Sequence, residues 1–282
     1  MLQVIVLSLL QGAFELFPVS SLGHTVLVPA LLGWDADRSD PSFLALIVIL
    51  HLGTATALLV FFWRDWIAIV LAVLRSIMRL RFSDDPAERT GWLIVAGSIV
   101  PGVLGLTFRH SVAGLLGQAT FVAGVLILNG LLMLAGEHLR RWQIRNHDRG
   151  VPLTTLPLRT GLMIGAAQSL ALLPGFSRSG TSMVAGIRSR LDHVGAARFS
   201  FLLATPLILG ATLVSVKDLF APTALADPGQ VAFGYVLSGV TAYLALRFLM
   251  RYFQTERLDL FGYYCVGFGA FALLVLGIRG SL

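Results

Sequence analysis

The residues of this chain that could do chemistry gather in two short stretches. The first is QGAFELFPVSSLGH, Gln11 to His24, which sets a carboxylate (Glu15), two adjacent hydroxyls (Ser20, Ser21) and an imidazole (His24) in an apolar segment broken at Pro18. Such groups are costly in an apolar medium unless they line a protected cavity. A serine close to a histidine and a glutamate suits nucleophilic displacement with general-base help, or direct activation of water. Glu15 could alternatively hold a divalent cation that neutralises phosphate charge. Gln11 and Glu15 are four residues apart and share a helix face, so both can reach one cavity. Ser20 and Ser21 follow the break, at the N-cap of the next helix half.

The second stretch is PGFSRSGTS, Pro174 to Ser182. Arg178 presents a planar fork of donors matched to phosphate oxygens, and an arginine inside an apolar segment normally has an anionic partner. Gly175 and Gly180 would let backbone N–H groups approach an anion, and a helix starting after Ser179 would add its dipole. Ser177, Ser179, Gly180 and Thr181 complete the set of candidate binding residues. Taken alone, SRSG reads equally well as a tight turn whose arginine reaches headgroups. The bland readings elsewhere carry more weight. One of the two serines serves as a helix cap, His51 reads as hydrogen-bonded structure, and Asp65, Asp84, Asp85 and Glu88 stand beside basic residues in solvated loops.

The elements that must position these residues are apolar helices. Of 282 residues, 56% are hydrophobic and 13% charged, and mean hydropathy is +0.81; soluble domains carry roughly 25% charged residues. The composition therefore predicts one all-α polytopic membrane domain over residues 1–282. The net charge of +6 lies in short clusters between apolar runs, which fits cytoplasmic loops and argues against a nucleic-acid partner. One cysteine, Cys265, excludes a disulfide framework and a thiolate metal site. A cleaved leader is not expected at MLQVIVLSLL, which has no basic n-region.

Residues 2 to 32 read as a re-entrant helix, turn and helix, followed by the acidic link Asp35 to Pro41 and a crossing from Phe43 to Trp63. Trp66 to Arg81 carries Arg75, Arg79 and Arg81 at helical spacing and reads as an amphipathic interfacial helix. Trp92 to Phe108 and Phe121 to Gly136 are two spans joined by a turn containing Arg109 and His110. His138 to Gly150 is then expected as an exposed basic loop. Thr160 to Ile187 repeats the interrupted pattern, and three spans follow, Phe199 to Val216, Val231 to Met250 and Phe261 to Ile278. Six transmembrane helices and two re-entrant hairpins result. Lysine and arginine placement puts the Arg64–Arg89, Arg140–Arg159, Arg188–Arg198 and Arg247–Arg257 clusters on the cytoplasmic side only if residues 160–187 return to the side they came from, and it leaves both termini outside.

The two interrupted segments align without gaps at an offset of 157 residues, Gln11 on Gln168, Ser20 on Ser177 and Gly23 on Gly180. Repeat 1 covers residues 1–137 and repeat 2 residues 158–282, with the basic loop between. Three crossings per half would invert the second copy, and inverted repeats place their polar site where broken helices meet. Ser21 falls on Arg178, a hydroxyl against a cation.

QGxxExxPVSSxGH and PGFSRSG together closely resemble the two signatures of the undecaprenyl-diphosphatase family associated with bacitracin resistance, and the resemblance covers essentially the whole chain. It implies hydrolysis of undecaprenyl diphosphate to undecaprenyl phosphate and inorganic phosphate, recycling the carrier lipid of cell-wall synthesis. It further implies a divalent cation (Mg²⁺ or Ca²⁺), a bacterial inner membrane, a site facing the periplasm and a homodimer. Carried over by position, Glu15 is the second motif glutamate and a metal ligand, Ser21 a nucleophile, His24 the motif histidine and Arg178 the phosphate-binding arginine. Gln11 stands where the family has glutamate or glutamine, which disfavours a two-carboxylate mechanism. Leu22 stands where relatives often have serine or threonine. Water in place of Ser21 stays open as the attacking group. The alternative to an enzyme is a secondary transporter or flippase for an anionic polyprenyl-phosphate lipid, since inverted repeats of broken helices are also a transporter architecture.

Overall fold

A computed structural model describes residues 1–34, 41–147, 150–215, 228–254 and 257–279. Most of the expected acidic link, residues 35–40, lies outside the described residues, as do Val216 and the last three positions. The described chain is helical throughout, with eleven α-helices: α1 (Leu2–Phe14), α2 (Ser21–Leu32), α3 (Pro41–Phe61), α4 (Trp63–Arg79), α5 (Pro86–Leu115), α6 (Ala119–Arg145), α7 (Leu158–Gln168), α8 (Arg178–Arg188), α9 (His193–Val214), α10 (Pro228–Tyr252) and α11 (Asp259–Ile278). Five of them (α5, α6, α9, α10 and α11) are long and apolar enough to cross a membrane, and α3 with α4 makes a sixth if that bent pair counts as one span.

α3 and α4 meet at 82°. The sequence explains the bend's use: Trp63, Ile67, Val70, Leu71, Leu74 and Met78 form an exposed apolar stripe along α4, while Ile69, Ala72 and Ser76 are buried, Ile69 against Gly91 of α5. A helix with one apolar and one arginine-bearing face suits a membrane interface.

Two expected boundaries move. α5 runs on through Arg109 and His110, so the turn to α6 comes at Leu116–Gln118 instead. The region expected as an exposed loop after His138 is helical to Arg145, and Arg140 and Gln143 within it are buried. Both errors have one cause: polar side chains lower hydropathy without breaking a helix, and backbone bonding continues until a residue stops it.

The helices exchange partners in a regular way. α1 packs on α10, and α7 on α5; α6 packs along α11, and α3 along α10. Close approach rests on small residues, as membrane helices require: Gly12 of α1 meets Ser238 and Thr241 of α10, and Gly161 of α7 meets Leu93 of α5. The outer ends of α1 and α2 lie at the same end of the bundle. Gly234 near the start of α10 packs against Val4 and Ser8 of α1, while Arg279, just after α11, donates to the Leu31 carbonyl of α2 at 2.9 Å. The outer ends of α7 and α8 lie at the opposite end, where Arg89 donates to the Leu156 carbonyl at 2.8 Å and Gln143 to the Ile187 carbonyl at 3.0 Å.

Candidate active site

The inner ends of the two hairpins meet in the interior. After α1 the chain turns through Glu15–Val19 and reaches Ser20 at φ 67°, a left-handed conformation uncommon for a residue with a Cβ. Ser20 Oγ accepts from Gly23 N at 3.1 Å and so caps α2. After α7 a 3₁₀ turn, Ser169–Leu172, leads to Gly175 at φ 110°, where a Cβ would lie 2.6 Å from the Val122 carbonyl oxygen. Ser177 Oγ then accepts from Gly180 N, also at 3.1 Å, capping α8. Each break places the next residue, Ser21 or Arg178, at the first helical position.

Those two residues converge on Glu15. Arg178 Nη2 lies 3.1 Å from Glu15 Oε1. Glu15 Oε2 accepts from Ser21 Oγ at 2.5 Å and from Gln11 Nε2 at 2.9 Å. Glu15 is 8% exposed, so its charge is stable there only because cation and donors surround it. Two polar atoms at this cluster, Arg178 Nη1 and Gln11 Oε1, are buried without a protein partner. A cleft of about 20 Å³ between Glu15, Ser21, Phe176 and Arg178 adjoins them, roughly the room one water needs. A larger cavity, about 440 Å³, lies at the end of the bundle beside Ala30, Gly117 and Leu276, with no ionisable side chain in its lining among the described residues.

Not every expected residue joins the cluster. The His24 ring hydrogen-bonds the Ser20 carbonyl through Nδ1 at 2.7 Å and the Tyr264 hydroxyl through Nε2 at 2.8 Å, and it stacks on Phe268 at 4.8 Å between centroids. Ser179 donates to the Phe17 carbonyl at 3.1 Å and Ser177 to the same oxygen at 3.4 Å. Thr181 Oγ1 donates to the Ser177 carbonyl at 3.0 Å, and the Gly180 N–H serves the cap already described. Ser177 and Ser179 thus tie the two breaks together, while Thr181 and Gly180 bond within the second.

Asn129 was not among the candidates from the sequence, and His51, expected as hydrogen-bonded structure, does bond the Ile47 carbonyl through Nδ1 at 2.8 Å but also lies at the site. Asn129 of α6, fully buried, accepts from Ser177 N at 3.0 Å and donates to the Pro18 carbonyl at 3.2 Å, so it bridges both breaks. His51 of α3 places Nε2 3.5 Å from Glu15 Oε2. A polar residue in an apolar span is a functional candidate by default, and that signal was as available for Asn129 and His51 as for Glu15.

The sequence model of the family described as "Bacitracin resistance protein BacA" matches residues 4–271. The chain belongs to the BacA family. It is similar to the undecaprenyl-diphosphatase of Mycolicibacterium paratuberculosis, 48% identical over 298 residues, covering 98% of this chain and 97% of the relative. The undecaprenyl-diphosphatase of Acidiphilium cryptum is 44% identical, with 96% of each chain covered. The undecaprenyl-diphosphatase 2 of Chromobacterium violaceum is 42% identical, covering 97% of this chain and 98% of the relative.

In this BacA-family chain, no group of three or more His, Cys, Asp or Glu side chains that could hold a metal occurs among the described residues. A protein-built cage is therefore not what the site offers. The Glu15 carboxylate and the buried, unpaired Gln11 Oε1 are both hard oxygen donors, on residues joined by the Gln11 Nε2–Glu15 Oε2 bond, and Mg²⁺ is commonly held by one or two carboxylates together with substrate phosphates. The donor set fits a cation shared with a phosphate.

Proposed function

We propose that this protein hydrolyses undecaprenyl diphosphate to undecaprenyl phosphate and inorganic phosphate, returning the carrier lipid to cell-wall synthesis, in a bacterial inner membrane with its site open to the periplasmic side. The observation that carries this reading is the convergence of Ser21, Glu15 and Arg178 from two separate helix breaks on one buried carboxylate. The names of the relatives agree with it.

Arg178 has a buried guanidinium nitrogen without a partner, and it binds the terminal phosphate. Its second nitrogen turns from Glu15 Oε1 to complete a two-pronged contact, the geometry at which arginine excels. Glu15 Oε2, already accepting the Ser21 proton at 2.5 Å, is the general base. As the attacking oxygen, of Ser21 or of a water in its place, bonds to the terminal phosphorus, its proton passes to Glu15. The anhydride P–O bond breaks and undecaprenyl phosphate leaves. If Ser21 attacks, Glu15 hands its proton to the departing undecaprenyl phosphate, then takes one from the water that attacks the phosphoserine and returns it to Ser21 Oγ as phosphate leaves. Positioning and charge stabilisation supply most of the catalysis in phosphoryl transfer. Glu15 and Gln11 Oε1 would hold Mg²⁺ or Ca²⁺, which supplies further neutralisation of the phosphate oxygens when bound. His24 acts at one remove, by fixing the Ser20 carbonyl and thus the turn that presents Ser21.

A site of about 20 Å³ must open to admit a diphosphate, and the architecture offers the means. The proposed single domain consists of two inverted repeats, residues 1–137 and 158–282, each opening with a re-entrant hairpin. The partner exchange of α1 on α10 with α7 on α5 and the opposite ends to which the hairpins return support this reading. Cysteines placed at Ser83, Asn146 and Gln254 should label from the cytoplasm and one at Gly117 from outside; a mixed pattern overturns the topology. A homodimer belongs to the same proposal and is read from the mass of the purified protein in detergent.

The activity is tested with purified full-length protein, undecaprenyl diphosphate and Mg²⁺ or Ca²⁺. Phosphate release that stops on chelation is expected, and a folded, metal-supplied protein that releases none overturns the reading.

A further inference from the structure

Gln168 ends α7 and is 2% exposed. Neither its Nε2 nor its Oε1 has a hydrogen-bond partner, and no other side chain among the described residues buries two polar atoms in that state. A buried amide with neither end bonded is destabilising unless a ligand or a water supplies the bonds. At the offset of 157 residues Gln168 stands on Gln11, whose Nε2 donates to Glu15 Oε2 at 2.9 Å. The second break has no such carboxylate. Leu172 takes the place of Glu15 and packs toward Gly105 of α5, where a Cβ would lie 3.6 Å from the Leu172 Cδ2. Gln168 therefore has the position of Gln11 without the partner of Gln11.

The backbone sets Gln168 on the face that looks into the cleft. It precedes the 3₁₀ turn Ser169–Leu172, and side chains three residues apart fall on one side of such a turn, which puts Gln168 in line with Ala171. Ala171 lines the cleft together with Glu15, Ser21 and Arg178. The residue aligned with it, Phe14, lines the same cleft from the first break, and the aligned pairs Ser20 with Ser177 and Ser21 with Arg178 do likewise. Like positions of the two breaks thus face each other across the cleft, and the second side carries a methyl group where the first carries a ring. Arg178 Nη1, on that less filled side, is also buried without a partner.

In phosphoryl transfer the attacking and leaving oxygens stand roughly in line on opposite sides of the phosphorus. The attacking oxygen, of Ser21 or of a water in its place, stands on the first-break side, so the departing phosphate lies on the second. We propose that Gln168 is a substrate-binding residue whose Nε2 donates to the phosphate that stays with the lipid, while Arg178 holds the terminal one. This rests on the phosphatase reading. Gln168 Oε1 accepts from a water that enters with the headgroup, and no proton or breaking bond passes through the amide.

The test compares full-length wild type, Q168M and Q168L in detergent, by thermal unfolding without ligand and by phosphate release from undecaprenyl diphosphate with Mg²⁺. Q168M puts an apolar group of similar length in place of the amide. It is expected to keep Tm or raise it by up to about 4 °C. At the same time kcat/KM falls roughly tenfold to a hundredfold, most of it in KM. Undecaprenyl phosphate, the product that carries the held phosphate, inhibits Q168M at least about threefold more weakly than wild type, whereas inhibition by inorganic phosphate changes by less than that. An amide that serves only packing or a structural water gives the reverse, a lower Tm with KM unchanged. A Tm lowered by more than about 4 °C overturns the inference, as does a kcat/KM within about threefold of wild type. Weaker inhibition by inorganic phosphate with undecaprenyl phosphate unaffected overturns it too. If Q168M does not fold, Q168L decides by the same readings; if neither folds, the amide has a structural partner and the inference is overturned. An inactive wild type overturns the phosphatase reading and this inference with it, whereas an active wild type with an indifferent Q168M overturns the role of Gln168 only.

Discussion

The two helix breaks share a backbone plan and divide the chemistry. Ser20 and Ser177 stand 157 residues apart, and each caps its helix by accepting the N–H three residues on, at 3.1 Å in both. The next residue, Ser21 in one and Arg178 in the other, reaches the same carboxylate from opposite sides. The carboxylate belongs to the first break alone, since Leu172 aligns with Glu15. The breaks also differ in where they bear awkward backbone geometry. In the second, Gly175 takes φ 110°; in the first, Pro18 occupies the aligned place and Ser20, with a Cβ, takes φ 67°. Strain of this kind costs on the order of 1–3 kcal/mol and collects at functional sites. Two like turns thus bring unlike side chains, Ser21 and Arg178, to one carboxylate.

The comparison can be broken most sharply at the unlike positions. Glu15→Ala should lower phosphate release by about a thousandfold or more, since it removes both the base and the counter-charge of Arg178; residual activity above a tenth of wild type would show that the first break does not supply the base. Arg178→Lys keeps a charge but loses the planar fork, and kcat/KM should fall roughly a hundredfold. A change within a factor of three would reduce Arg178 to a point charge. Ser21→Ala separates the two attacking groups: a rate below about 0.1% of wild type marks Ser21 as nucleophile, while several per cent marks water.

Smaller effects test the like positions. Asn129→Ala would leave the Ser177 N–H and the Pro18 carbonyl buried without that partner, at a cost of about 2–4 kcal/mol. Unfolding in detergent reads the loss, and an unchanged Tm would mean that the breaks are not held together through α6. The smallest effect is the cap: Ser177→Ala should destabilise by about 1 kcal/mol, and Ser20→Ala by a similar amount. A large inequality between them would deny the equivalence of the two turns.

Much of the site was legible from residue types and spacing. A carboxylate, paired serines and an arginine in apolar segments are hard to explain otherwise; the offset set Ser20 on Ser177, and both cap their helices, although the second helix begins at Arg178 and not after Ser179 as expected. His24 and His51 show where such reasoning stops. Both are histidines in apolar helices with a backbone carbonyl one turn or less away, and sequence proximity favoured His24. Distance in the chain says nothing about which ring faces a carboxylate across a helix interface.

The sequence by itself determined that this is an apolar helical membrane protein with two interrupted segments, and it named Glu15, Ser21 and Arg178, because hydropathy, helix breaking and the cost of buried charge are properties of residues and their near neighbours. Only the tertiary structure decided that the unlike members of the two breaks share one carboxylate, that Asn129 ties the breaks together, and that His51 rather than His24 stands beside Glu15. Those outcomes depend on how α1, α3, α6 and α8 pack, and packing brings together residues that lie from 36 to 163 positions apart in the chain.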